Sequence, residues 1–343
     1  MKKVGWGVMG AGGIALRRTI PDGLICASNA MLVAVQNPSR VDSIAQTFGV
    51  IGVKDEAALL AQPIDAVYIA TPVDLHRGQV ERAAAAGKHV LCEKPLGLDL
   101  REAEVMADAC RRAGVKFGVG LMMRFHAGHQ LACAMIAGGQ LGKPTFARAQ
   151  LSCWYPLTAG AWRQDPKRSG GGALADLGTH CLDLLEMCFG PIARVSCQVG
   201  HLVQGYAVED SAVVSLTFAN GAMGVVDCAF NVPDETVSNR LELYGSEGSL
   251  LFENTIGQCE GGTMIFRRRA GAAGYDAQQV REGESQVTLT PDPVNLYRAQ
   301  IEAFSQAILD DVEPPVSGVH GVRVQRLLQT CYASALDGRS FDV

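Results

Sequence analysis

The sequence predicts an α/β unit with a doubly wound parallel sheet, followed by an α+β unit built on a large open sheet, mixed or antiparallel. Three observations predict it. Residues 1–122 alternate short, continuously apolar runs with stretches rich in Ala, Glu, Arg and Leu, the rhythm of buried parallel strands joined by helices. Residues 123–343 turn strand-rich, with turn signals such as Asn220-Gly221 and Gly245-Ser246-Glu247-Gly248 between the runs. A glycine cluster, Gly10-Ala11-Gly12-Gly13, stands between the first apolar run and the first helical one.

In the first unit the strands are expected at Val4–Met9, Met31–Val35, Ala66–Ala70, His89–Cys92 and Lys116–Leu121. The helices between them are expected at Ile14–Cys26, Val41–Phe48, Arg77–Ala86 and Leu100–Ala113. In the second unit His129–Ala137 reads as helix, and the strands as Thr145–Ser152, Ser211–Phe218, Ala222–Ala229, Arg240–Tyr244 and Ser249–Phe252. Residues 257–287, rich in Gly, Ala and Gln around Arg267-Arg268-Arg269, read as a mobile surface hairpin or loop. Two helices close the chain, Asn295–Leu309 and Gly321–Leu336, the first with Tyr297, Ile301, Phe304 and Ile308 in phase.

The chain has 343 residues, 48% hydrophobic and 19% charged, with a formal charge of −5. That composition fits a globular protein of two domains and gives no electrostatic reason to expect nucleic acid or an anionic membrane as partner. No apolar stretch approaches the roughly 20 residues that cross a bilayer, and the N-terminus runs straight into a strand pattern without a signal-peptide core. The 11 cysteines are scattered, odd in number and mostly inside apolar runs. They read as free thiols in a reducing cytoplasm, and no zinc-type spacing suggests a metal.

Gly10-Ala11-Gly12-Gly13-Ile14-Ala15 is Gly-x-Gly-x-x-Ala at a strand-to-helix turn, the context in which this motif binds a dinucleotide. Gly10 permits the tight turn, Gly12 lets a pyrophosphate approach, and the helix N-terminus stabilises its charge. The acid that would grip a ribose 2′-hydroxyl ~20 residues on is missing. Gln36-Asn37-Pro38-Ser39-Arg40 stands there instead. Neutral Asn37 does not repel a 2′-phosphate, and Ser39 and Arg40 can hold one, which leans the reading towards NADP. Arg40 is equally an ordinary surface arginine.

Two further strand ends carry unusual residues: Ala70-Thr71-Pro72 with His76 close behind, and Cys92-Glu93-Lys94-Pro95. Ligands of doubly wound sheets lie outside the carboxyl ends of the strands, so Thr71, Pro72, His76, Glu93 and Lys94 are expected near the cofactor. A Glu-Lys pair is otherwise a surface ion pair worth little. Behind Gly170-Gly171-Gly172, the spacing of Leu174, Leu177, Cys181, Leu184, Leu185 and Cys188 predicts an amphipathic helix. Asp176, His180 and Asp183 fall within a ~60° stripe off its apolar face, at about 100° per residue. Such a stripe is either a solvated face or a proton-handling ridge.

In order and spacing, Gly10–Ala15, Ala70-Thr71-Pro72, Cys92–Pro95 and Gly172…Asp176…His180…Asp183 resemble the glucose–fructose oxidoreductase / inositol dehydrogenase family (Gfo/Idh/MocA). The resemblance runs essentially the full length, including Trp162-Arg163, Val208-Glu209-Asp210 and Tyr244–Gly248. It implies an NAD(P)-dependent dehydrogenase or reductase of sugars, sugar acids or cyclitols. It also implies a Rossmann domain followed by an α+β domain whose open sheet forms a homodimer or homotetramer. The strand end without an acid resembles that of NADP-using members.

The chemistry follows from the residue types. His180 is the natural acceptor of a hydroxyl proton. Asp176 would orient its imidazole and favour its protonated form, Lys94 would polarise the reacting oxygen, and Asp183 would bind a neighbouring substrate hydroxyl. Arg124, Trp162 and Arg163 line the substrate pocket or serve as interdomain packing and salt-bridge residues. Two other readings keep the scaffold. One is a redox-neutral glycosidase or lyase that leaves no net reduced cofactor; the other is a non-enzymatic sensor, against which Lys94, Asp176 and His180 argue. A bilin reductase suits the polar ridge less well. The sequence sets neither the sugar nor the direction.

Overall fold

A computed structural model describes residues 2–269, 277 and 285–343. Six strands, β1 (Val4–Met9), β2 (Ala30–Gln36), β3 (Ile51–Val53), β4 (Ala66–Ile69), β5 (His89–Cys92) and β6 (Phe117–Val119), pair in parallel in the order β3-β2-β1-β4-β5-β6. Every residue of β1 and β4 is buried, as strands covered on both faces require. The helices covering them are α1 (Val41–Phe48), α2 (Glu56–Leu60), α3 (Val73–Ala85) and α4 (Leu100–Ala113). The first helical stretch, Ala15–Leu24, is wound in the wider i→i+5 manner with Pro21 inside it, a form that concentrates at functional sites. β3 and α2 have no counterpart in the sequence reading: one is a three-residue edge strand largely open to solvent, the other a single turn, both too short to show a period.

The second sheet holds nine strands: β7 (Pro144–Ser152), β8 (Ile192–Gly200), β9 (Ser211–Phe218), β10 (Met223–Ala229), β11 (Arg240–Gly245), β12 (Gly248–Glu253), β13 (Thr263–Arg268), β14 (Ser285–Leu289) and β15 (Phe341–Asp342). Their order is β14-β13-β12-β11-β7-β10-β9-β8-β15. β7 and β10 are parallel and every other pairing is antiparallel. Strict alternation along β9 and β10 buries one face and opens the other. α5 (Ala127–Ala137) and α7 (Thr179–Phe189) pack in the core on the buried face, and α6 (Pro166–Ser169) is a single turn before the glycine run. Of the two forms expected for residues 257–287, hairpin or loop, the structure shows the hairpin. Thr263–Arg268 and Ser285–Leu289 pair with each other and extend the sheet, while the tip expected between them lies outside the described residues. All 11 cysteines are free thiols. Among the described residues no helix is long and apolar enough to cross a membrane.

The last two helices, α8 (Leu296–Leu309) and α9 (Gly318–Asp337), leave the second sheet and return to the first. Ile301 and Phe304 join the core of Val4, Trp6 and Val8, and the Trp6 indole donates to Ser305 Oγ at 3.1 Å. Val316 and Val324 pack with Phe117 and Val119. A division at residues 122/123 therefore describes the order of the chain, but the C-terminal helices help to build both cores.

Candidate active site

The carboxyl ends of β1, β4 and β5 open into a cavity of about 920 Å³, whose opposite wall comes from the helical segment and loops of the second sheet. At one end lie Gly10, Gly12, Gly13 and Ile14. Gly10 has φ +76°, and a Cβ on it would stand 2.4 Å from Thr71 Cγ2, so the turn can press against the end of β4 only as glycine. A Cβ on Gly13 would meet nothing within 4 Å, and one on Gly12 would meet only Asn37 Nδ2 at 3.9 Å. Open backbone at a helix start suits an anionic phosphate, so this cradle fits the pyrophosphate of a dinucleotide. Asn37, Thr71, Pro72, Glu93 and Lys94 also line the cavity.

Four residues expected at the cofactor lie elsewhere. Ala11 is buried behind the loop, its carbonyl accepting from Asn37 Nδ2 at 2.9 Å. His76 is buried between backbone carbonyls, with Nδ1 3.1 Å from Leu96 O and Nε2 3.0 Å from Thr71 O. It ties the end of β4 to the segment after Lys94, and burial lowers its pKa. Ser39 and Arg40 are exposed beyond the wall, and their N–H groups donate to Asn37 Oδ1 at 3.0 and 2.8 Å. Gln36 is committed as well: Oε1 accepts from Gly10 N and Nε2 donates to Lys54 O, both at 3.0 Å.

At the other end the glycine run positions the helical segment. Gly172 N donates to both carboxylate oxygens of Glu209 at 2.9 Å, and Leu174 N donates to Oε1 at 3.1 Å. Glu209 thereby caps the helix start. A Cβ on Gly172 would lie 1.9 Å from the Glu209 carbonyl oxygen, so the close approach requires glycine. The segment Leu174–Gly178 is again wound i→i+5 and runs into α7 as an α-helix. The uniform 100° per residue assumed from sequence therefore fails across Asp176 and His180.

Asp176 and His180 face the cavity with Lys94. Lys94 Nζ donates to Asp176 Oδ1 at 2.5 Å and to its carbonyl oxygen at 2.6 Å. Arg163 Nε lies 3.7 Å from Asp176 Oδ2, and its guanidinium sits 4.3 Å above the Trp162 ring. Burial pushes the Asp176 carboxyl up, but Lys94 and Arg163 overcome it and hold the group well below the usual carboxylate range. His180 is buried, and its Nδ1 has no hydrogen-bond partner among the described residues. Burial, with Lys94 adding to it, lowers its pKa to about 3 against the opposing pull of Asp176. Asp176 thus holds Lys94 rather than the imidazole, and His180 is neutral near pH 7. Both points correct the roles expected for Asp176. Burial raises the Glu93 carboxyl, which accepts from the Tyr68 hydroxyl.

Asp183 is not a substrate ligand here. It is 2% exposed and paired with Arg124, whose Nε and Nη2 donate to it at 2.7–2.9 Å; neither residue lines the cavity. Trp162 and Arg163 do line it. Several lining residues have no place in the sequence reading, Arg17, Tyr155, Arg168, Asp234 and Asn239, and Tyr297 was read only as a helix-face residue. Arg17 stands one turn beyond Gly13, where helical spacing gave a usable signal. Asp234 and Asn239 sit in an aperiodic connection between β10 and β11, where there was none.

Fold and site together define an oxidoreductase with a dinucleotide domain and a separate substrate wall. Residues 4–121 match the model of the oxidoreductase family with an NAD-binding Rossmann fold, and residues 129–251 that of the GFO/IDH/MocA C-terminal domain. The chain belongs to the Gfo/Idh/MocA family, whose dehydrogenases and reductases use a nicotinamide cofactor. It is 33% identical to a 1,5-anhydro-D-fructose reductase of Ensifer adhaerens, over 92% of each chain. It is 28% identical to D-xylose 1-dehydrogenase (NADP(+)) 2 of Haloferax volcanii, over 98% of this chain and 99% of that one. The crystal structure of an aldose–aldose oxidoreductase from Caulobacter crescentus complexed with glycerol superposes with a TM-score of 0.88, at 26% identity and over all of both chains.

Proposed function

We propose that this enzyme transfers a hydride between the nicotinamide and a secondary hydroxyl, or its carbonyl, on a sugar, sugar acid or cyclitol. The observation that carries the reading is the placement of Lys94 and His180 in the same cavity as the glycine cradle. A lysine ammonium has three N–H donors. Asp176 takes two of those on Lys94, leaving one for the reacting oxygen, where it stabilises alkoxide character. Neutral His180, with an unpartnered ring nitrogen, accepts the hydroxyl proton. The bound nicotinamide supplies or takes up the hydride. Asp176 serves by fixing Lys94, and Trp162 with Arg163 shapes the substrate side.

The cofactor reading leans towards NADP. β2 ends in neutral Gln36 and Asn37, with Arg40 exposed beside them, so no carboxylate on that strand end repels a 2′-phosphate; the NADP(+) in the name of the xylose relative points the same way. A homodimer or homotetramer would use the open face of the second sheet, where Val213 and Met223 are 50% and 60% exposed. The test is a screen of purified protein with NAD⁺ and NADP⁺ against sugars, sugar acids and inositols, following reduced nicotinamide. Substrate turnover without net reduced cofactor would instead assign a redox-neutral glycosidase or lyase.

A further inference from the structure

The charges at the substrate end of the cavity are unequally committed. Three cations line it, Lys94, Arg163 and Arg168, and each already has a carboxylate. Lys94 and Arg163 share Asp176 at 2.5 and 3.7 Å, and Arg168 Nε lies 3.5 Å from Asp74. The acids are less fully used. Asp234, on the exposed connection between β10 and β11, accepts one hydrogen bond, from Trp154 N at 3.0 Å, and makes no ion pair among the described residues. Asn239 spends its Oδ1 on Ser152 N at 2.8 Å. Cys153 lines the same wall: burial pushes its thiol up to about 12, with Asp176 and then Asp234 adding to the shift. Arg17, which makes no ion pair among the described residues, lies with the glycine cradle at the phosphate end.

A carboxylate entering the substrate end would find no uncommitted cation among the described residues, and carboxylates at Asp176 and Asp234, with Glu93 beside Lys94. Desolvating an anion without a partner is costly. A hydroxyl meets the opposite situation, because it can donate to Asp234 and accept from the remaining N–H of Lys94. We propose that this site takes neutral polyhydroxy substrates and discriminates against sugar acids, and that Asp234 is a substrate-binding residue that accepts a hydroxyl hydrogen bond. The inference rests on the oxidoreductase reading above and narrows its substrate class. The loosest of the three ion pairs is Arg163 with Asp176. A release of Arg163 to greet a carboxylate is the rearrangement that would defeat the proposal.

The test compares matched pairs, D-glucose with D-glucuronate and D-galactose with D-galacturonate, on the cofactor-loaded enzyme, by calorimetric binding and by turnover. The neutral sugar of each pair should bind, and kcat/KM for it should exceed that for its acid by at least tenfold. Asp234→Asn should lower kcat/KM for the neutral sugars about tenfold, the loss of one charge-assisted hydrogen bond, and narrow the gap to the acids. Its exposed position leaves folding intact, which an unchanged melting temperature would show. An acid that binds better than its neutral partner overturns the proposal, as does failure of every neutral sugar to bind, or an unchanged ratio in Asp234→Asn. Preferential neutral binding with no hydride transfer keeps the inference and removes the oxidoreductase reading instead.

Discussion

Two carboxylate–cation pairs, Asp176 with Lys94 and Asp183 with Arg124, join the same helical segment to residues following β5 and β6. Seven residues apart and alike in sequence, they differ in what surrounds them. Asp176 and Lys94 are 26% and 12% exposed on the cavity wall, whereas Asp183 is 2% exposed and away from it. Burial raises the Asp183 carboxyl, with Arg124 opposing it, while Lys94 and Arg163 overcome burial at Asp176. Lys94 keeps a donor free for a ligand. Arg124 grips both oxygens of Asp183 through two nitrogens. One pair faces the cavity, and the other is buried within the second unit, away from it.

The largest effect should come from the first pair. Lys94→Ala and His180→Ala are each expected to lower kcat by about 10³-fold on a good substrate, the scale of one oxyanion donor or one general base. Cofactor affinity should be retained in titration, and circular dichroism should show both variants folded. Near wild-type rates in both would remove the assigned roles. Arg124→Ala should act the other way round. It leaves Asp183 buried without its cation and should cost about 3 kcal/mol of stability in urea unfolding, with kcat close to wild type. Loss of turnover in a fully stable Arg124→Ala protein would erase the distinction between the pairs.

How much of this was legible follows the same line. β1, β5, β9, α1 and α4 are read from the sequence to the residue, because each is a periodic or fully buried run bounded by turn residues. The cradle, Lys94, Asp176 and His180 stand out because strand ends and a glycine run punctuate the chain where they sit. Asp183 was misplaced because the stripe argument assumed one helical pitch, whereas Leu174–Gly178 is wound more widely. Periodicity also does not show that Met122–Phe125, with Arg124 in it, would cover the far side of the helix. Asp234 lay beyond reach because a loop's position depends on the whole sheet that carries it.

Removing Lys94 also tests whether its charge reaches His180. With a folded pKa of about 3 against about 6.5 unfolded, His180 binds fewer protons in the native state than in the unfolded chain between those values. Stability therefore rises with pH across that window and falls on acidification. From pH 7 to pH 5 this one histidine should cost about 2 kcal/mol. In Lys94→Met the imidazole loses the nearby positive charge and its pKa should rise, so the acid-induced loss should shrink. Urea unfolding of both proteins at the two pH values measures it, and an equal loss would assign the depression to burial alone.

The smallest expected effect lies beyond the cradle end of the cavity, at the exposed Arg40. Arg40 is exposed and its N–H is spent on Asn37 Oδ1, so its side chain is the part available to a 2′-phosphate. A solvent-facing arginine–phosphate contact is worth about 1.4 kcal/mol, a factor of ten in affinity. Arg40→Ala should therefore weaken NADP⁺ about tenfold and leave NAD⁺ unchanged in fluorescence titrations. The gap should close as salt rises, because the contact is screened. Equal weakening of both cofactors would place the contact at the shared pyrophosphate and remove the reason for preferring NADP.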